Sequence, residues 1–300
     1  MRKLLFLCLV FIFSLTLSAQ QETGHYVDGV EGIKVGSVPG PGFYYKMYNA
    51  FYTSNKLMDG NGDKMGVDFD LTVYANVHRF VWITKKKFLG ADYGMNTIIP
   101  LVYTDISIGA FGLAENKFAL SDVTLEPLVL AWHKKQLDLA FAAGAVVPIG
   151  QYDVTNPASA GKDMWTGMIT AGATYYFDTN KSWALSALTR YETHSEKGSY
   201  AVSPGDDFHF EWGLSKTLPK KNAIWDLGIA GYAWWQISDD KGADVDYDAS
   251  VHDRHFAIGP EVAVFLPKQM MSLSIRSQKE FGVIDRAKGS MSCLSLVKVF

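Results

Sequence analysis

Residues 66–78, GVDFDLTVYANVH, alternate almost without error between apolar and polar side chains. Val67, Phe69, Leu71, Val73, Ala75 and Val77 are apolar, and Asp68, Asp70, Thr72, Tyr74, Asn76 and His78 between them are polar or amphipathic. Successive strand residues point to opposite faces, so the segment predicts a strand with one apolar and one polar side. Two architectures use such a strand. In a soluble two-sheet protein the apolar face packs on a core. In an outer-membrane barrel it meets lipid, and the polar face lines the lumen.

The rest of the chain favours the barrel. Beyond the first twenty residues no stretch holds 18 uninterrupted apolar residues, so no transmembrane helix is predicted there. Twelve strands are predicted instead, over 43–54, 67–83, 89–104, 121–132, 137–148, 164–177, 183–193, 206–217, 224–238, 254–265, 270–281 and 290–300. Most are longer than the usual soluble strand of about 5–6 residues and reach the roughly 9–11 that a tilted membrane strand needs. Alternation recurs in 137–148, 206–217, 224–238 and 270–281. Connections after even-numbered strands are short (KKKF, HKKQ, DTNK, LPKKNA, LPKQ), and those after odd-numbered strands are longer, as in SDDKGADVDYDASVHD. Short periplasmic turns, long outer loops and an even strand count are the pattern of a membrane barrel. Trp82, Phe88, Trp132, Trp165, Tyr175, Tyr176, Phe177, Trp183 and Trp225 cluster near strand ends, as interfacial girdles do.

The expected fold is therefore all-β: a single transmembrane antiparallel up-and-down β-barrel of about 12 strands over 43–300, with both termini periplasmic. On this reading the apolar parity of 67–77 faces lipid. Asp68, Asp70, Tyr74, Asn76 and His78 then face the lumen.

The ends of the chain agree. Arg2 and Lys3, an apolar run from Leu4 to Phe13 and small residues to Ala19 read as a secretory signal peptide over 1–19. Losing Arg2 and Lys3 from 28 basic residues leaves 26 against 31 acidic ones, a net charge near −5. That balance, with no basic cluster, argues against nucleic acid. Losing Cys8 leaves Cys293 alone, so no disulfide forms within the chain. Residues 20–42 precede the barrel, and their Gly/Pro-rich part, GVEGIKVGSVPGPG, is either a periplasmic tail or a plug folded into the lumen. The terminal Phe300 is expected to be the signal read by the barrel-assembly machinery.

Charges on the polar parities fall at Asp122, Glu126, Arg190, Glu192, Asp207, His209, Glu211, Asp226, Glu261, Arg276 and Glu280. In a narrow barrel such charges pair and fill space. Tyr232, Trp234 and Gln236 share a parity, and aromatic faces beside polar groups suit a small aromatic or apolar solute. The expected solute path comprises Glu126, Arg190, His209, Glu211, Tyr232, Trp234, Gln236 and Arg276 together with the polar face of 67–78.

No metal or cofactor is expected. His252 and His255 form an H-x-x-H without an identifiable third ligand. DGNGD (59–63) resembles a calcium loop, but Lys64 replaces the turn glycine and Asp70 the final Glu. Acids Asp239, Asp240, Asp244, Asp246 and Asp248 read as a solvated loop. No nucleophile frame such as G-x-S-x-G is present, so catalysis is not expected.

Six stretches resemble the outer-membrane family named after the meta-pathway of phenol degradation: PGPGFYYKMYNAFY (39–52), LSDVTLEPLVLAWH (120–133), VPIGQYD (147–153), SPGDDFHFEWG (203–213), GYAWWQISDDKG (231–242) and GPE (259–261). The resemblance implies a barrel of roughly twelve strands and a transport role, often beside genes that degrade aromatic compounds. The chain departs from the family at Pro148-Ile149-Gly150-Gln151-Tyr152, where Thr usually follows Pro, and at Asp163, where Asn usually precedes Met164-Trp165. The expected function is passive uptake of small hydrophobic or aromatic solutes across the outer membrane of a Gram-negative bacterium. The partners are outer-membrane lipid, the assembly machinery and the solute. A structural or adhesive barrel with partner-binding loops is the alternative, and an outer-membrane enzyme the third.

Overall fold

A computed structural model describes residues 24–300, so the signal-peptide reading of 1–19 lies outside the described residues. The chain forms β1 (Gly42–Leu57), β2 (Phe69–Phe88), β3 (Ala91–Ile108), β4 (Leu113–Leu120), β5 (Val123–His133), β6 (Leu137–Val147) and β7 (Thr166–Tyr176). It continues through β8 (Trp183–His194), β9 (Asp207–Lys220), β10 (Ala223–Gln236), β11 (Arg254–Leu266), β12 (Met271–Ile284) and β13 (Ala287–Val299). All pairings are antiparallel between neighbours, and β1 pairs with both β2 and β13, which closes the sheet. Closure removes the free edges that lipid cannot satisfy.

The described residues form thirteen strands but fill twelve places in the wall. β4 pairs with the outer half of β3 (Leu101–Ile108), and β5 pairs with its inner half (Asp92–Ile98). The stretch 105–120 had read as a loop. Instead β3 runs on to Ile108, a short 3₁₀ turn reverses the chain at Gly109–Phe111, and β4 folds back along it. The other correction is at the last hairpin. Its connection had read as long, but β12 and β13 are joined by Asp285 and Arg286 alone, with Asp285 at φ 53°.

Exposed aromatics ring the outer surface near both ends. Phe43, Trp82, Tyr175, Trp183, Trp225 and Phe300 lie toward the short turns, and Trp165, Tyr191 and Phe281 toward the loops. Tyr176 is not among them: it turns inward and donates to Asp138 at 2.8 Å. Lys298 shares the outer face with Phe300, and its ammonium reaches the Gln269 carbonyl at 2.6 Å, leaving the apolar band. Gly42 and Phe300 lie at the same, short-turn end: the Phe300 amide donates to the Phe43 carbonyl at 3.0 Å.

Residues 24–41 run lengthwise through the lumen, from the loop end down to the start of β1. This thread lies directly on the wall where the wall has no side chain. A Cβ on Gly213 would stand 2.5 Å from the Ile33 Cα, and one on Gly172 would stand 3.0 Å from the Gly36 Cα. Glycine is required at both places by the close approach of two backbones.

Candidate functional site

The inner face is identified by what touches the thread. Asp28 accepts from His209 Nδ1 at 2.9 Å and His255 Nε2 at 3.1 Å. Tyr26 hydrogen-bonds Glu211, and the Arg190 guanidinium lies 3.5 Å from the Tyr26 ring centroid. Arg276 donates to the Gly29 carbonyl at 3.0 Å and sits 3.3 Å from Glu261. Glu31 pairs with Arg79 and lies 3.9 Å from Lys46. Lys34 pairs with Asp226 at 2.7 Å, and the Ser37 hydroxyl donates to Asp138 at 3.0 Å. Each thread charge meets an opposite charge or a buried donor. That is the condition under which burying charge is tolerable.

These contacts put Glu126, Arg190, His209, Glu211, Tyr232, Trp234, Gln236 and Arg276 on the inner face, all buried. Glu126 accepts from Asn96 and lies 3.6 Å from Arg79. Gln236 bonds Asp240 at 2.8 Å, toward the loops. Trp234 offers no open face. Its ring centroid is 5.4 Å from that of His255, and Arg286 stands 4.7 Å from it on a cation–π contact.

The polar side of β2 faces the other way. Arg79, Val81 and Ile83 are inner residues, so the odd parity of β2, with Leu71, Val73, Ala75 and Val77, faces the lumen. Asp70, Tyr74, Asn76 and His78 are on the outer face, and Asp68 is exposed in the loop before β2. The lipid–lumen reading of this strand was therefore inverted. Two observations explain it. The outer polar groups satisfy one another: Tyr74 and Asn76 donate to Asn49 Oδ1 at 2.8 and 2.9 Å, and Tyr45 meets His78 at 2.6 Å. The lumen beside β2 is dry as well. Ala75 belongs to a buried cluster with Tyr48, Ala50, Tyr232, Ala257, Met291 and Cys293, against which Val30 of the thread packs. In a filled barrel both faces of a strand are dry, and apolar character alone does not tell them apart.

Arg79 is the residue that sequence reasoning missed and could have found. It shares a parity with Val73 and Val77, where a charge facing lipid is costly. The thread partners His25, Tyr26, Asp28, Glu31 and Lys34 carried no such signal, because their partners lie about a hundred or more positions away, or on β1 and inverted β2. His252 and His255 do not converge. His252 is at the surface, 2.7 Å from Asp239, whereas His255 points inward.

A second apolar patch on the inner wall, Val81, Ile83, Val129 and Ala142, is covered by Val38 and Tyr44. Between this patch and the charged group Glu31, Lys46, Arg79, Glu126 and Arg190 lies a cavity of about 50 Å³. That exceeds one water's share of liquid volume, about 30 Å³, but is well below the roughly 150 Å³ that accepts a benzene ring. At the loop end, Lys197 donates to the Lys162 carbonyl at 3.2 Å. Burial, and then the neighbouring Lys162 charge, push the Lys197 ammonium down to about 8.

The family model described as "Putative MetA-pathway of phenol degradation" matches residues 54–294. The chain belongs to this family. No curated protein matches it. Among solved structures, the chain is similar to a COG4313 outer membrane channel from Pseudomonas putida F1, with a TM-score of 0.75 and 16% identity over 88% of this chain and 97% of that one. It is also similar to the beta domain of the Bordetella autotransporter BrkA, with a TM-score of 0.53 and 12% identity over 87% and 100%. At these identities the likeness shows the fold. The fold of this family member is the closed all-β barrel of outer-membrane proteins.

Proposed function

We propose that this protein is an outer-membrane channel through which small hydrophobic or aromatic solutes move passively, and that the thread of residues 24–41 is its gate. One observation carries the reading: both apolar patches of the inner wall are covered by thread valines, Val30 on one and Val38 on the other. An apolar lining suits an apolar solute, and the residual cavity is too small for an aromatic ring while the thread is in place. Passage then requires the thread to shift, which uncovers the patches. The barrel's relatives by fold, one of them a solved outer membrane channel, support an export route to the outer membrane.

The test is solute uptake into liposomes by the full chain and by a double variant, Val30→Ser with Val38→Ser, with matched aromatic and sugar solutes. Weakening the thread's apolar contacts should raise uptake of the aromatic solute more than that of the sugar. An equal change for both would point to a non-selective channel, and no change would favour the structural or adhesive barrel. Phe300 is proposed as the assembly signal, and its deletion should slow insertion and leave protease-sensitive protein in the periplasm.

A further inference from the structure

At the loop end of the lumen five side chains form one line: Asp122, His25, Thr166, His194, Asp207. The contacts are Asp122 Oδ2 to His25 Nε2 at 2.9 Å and His25 Nδ1 to Thr166 Oγ1 at 2.7 Å, then Thr166 Oγ1 to His194 Nδ1 at 2.7 Å and His194 Nε2 to Asp207 Oδ2 at 3.0 Å. Four contacts need four hydrogens between their heavy atoms. Two neutral imidazoles and one hydroxyl supply three. If each donates along the line toward Asp122, His194 Nε2 is left with its lone pair facing a carboxylate. The fourth hydrogen bond is replaced or completed by a positive charge at His194, either a second proton on its ring or a metal ion between His194 and Asp207.

Glu192 decides between the two. Its side chain is fully buried. Oε2 accepts the His25 amide at 2.9 Å, but Oε1 is buried without any hydrogen-bond donor. Glu192, His194 and Asp207 each offer one ligand atom, and these atoms lie within 4.8 Å of one another. His209 Nε2 lies 3.6 Å from Glu192 Oε2, but it leaves Oε1 unmet, and two buried carboxylates side by side repel unless a positive charge stands between them.

We propose that Glu192, His194 and Asp207 bind a divalent transition-metal ion of the Zn²⁺ class. One imidazole nitrogen and two carboxylates suit that ion, at metal–ligand distances of about 2.0–2.2 Å. The ion supplies that positive charge and gives Glu192 Oε1 a partner. The His194 Nδ1–H then donates to Thr166, the Thr166 hydroxyl to His25 Nδ1, and the His25 Nε2–H to Asp122, so every contact in the line is satisfied with one set of tautomers. A metal-bound histidine held through its other nitrogen is the usual outer-shell arrangement. Through Thr166 the ion fixes His25, near the top of the thread. The inference does not depend on the solute proposed above.

The experiment uses the full chain in detergent, stripped with a chelator, dialysed against Zn²⁺ and assayed for bound metal. One ion per chain is expected, with the exposed His252→Gln variant binding as the native chain does. Glu192→Gln and His194→Gln should weaken binding at least tenfold. Failure of the native chain to retain Zn²⁺ at micromolar free ion overturns the proposal, as does unchanged binding by both site variants. Should the variants fail to fold, X-ray absorption at the zinc edge of the loaded native chain decides. One nitrogen among oxygen ligands is expected, and a shell with sulfur or with several imidazoles excludes this site.

Discussion

β2 and β10 both alternate, both span the barrel, and they face in opposite senses. On β10 the apolar residues Trp225, Leu227 and Ile229 are exposed outside, while Asp226, Tyr232, Trp234 and Gln236 turn inward to charged partners. On β2 the apolar residues turn inward to Val30, and Tyr74, Asn76 and His78 are outside. The thread accounts for the difference. Where it presents charges, as at Asp28 and Lys34, the wall is polar within. Where it presents a valine, the wall is apolar within. The inner face is complementary to the thread and not to water.

The largest effect that sharpens this contrast is on the polar sector. Asp28→Ala leaves His209 and His255 buried without their shared acceptor, and breaking a buried pair costs about 3–5 kcal/mol. The expected outcome is a thread readily cut by added protease in an otherwise folded barrel. Asn76→Arg comes next. On an outer face near mid-strand the charge enters hydrocarbon and costs about 2–4 kcal/mol, as Ile229→Arg on β10 should. Denaturant unfolding in lipid measures both. If Asn76→Arg is tolerated while Ile229→Arg is not, the inversion of β2 is wrong. Val30→Ala, on the apolar sector, removes two partly buried carbons, worth at most about 1.5 kcal/mol at roughly 0.8 each. Its protease sensitivity should fall between those of the native chain and Asp28→Ala.

The smallest effect lies outside both sectors, at Lys197. Its folded value, about 8, is below that of the unfolded chain, so between about 8 and 10.5 the unfolded state binds more protons. Loop stability should therefore rise with pH across that window, and below pH 8 the full penalty of the buried charge remains. Lys197→Met should flatten the dependence, as followed by hydrogen exchange of the 195–206 loop.

The barrel was legible in the sequence because its signals are local. Alternation, strand length and turn composition each act within a dozen residues, and every one of the twelve predicted strands has its counterpart. β4 escaped because ISIGAFGLAENKF carries Gly109 and Gly112 amid weak alternation, and its pairing partner is the upper half of β3. The tight β12–β13 turn escaped because Asp285 takes up the positive φ without a glycine. The inner residues of β8 to β12 were legible because charges mark the inner face. On β2 one charge, Arg79, marked it too, and the five polar residues of the other parity outweighed it.

The thread has a consequence for how the chain comes together. It is continuous with β1 at one end of the barrel and ends its described course at the other, and its partners lie on strands from β1 to β12. The wall closes at the seam between β1 and β13, in a register running from Tyr44 with Val299 to Leu57 with Ala287. An empty ring would hold Arg79 without Glu31 and His209 without Asp28, so it is not a stable stop along the way. The first segment made is thus the form around which the last strand is laid, and order of synthesis and order of enclosure become the same problem. A barrel that seals early seals wrongly, because what belongs inside would have to be drawn through a finished wall.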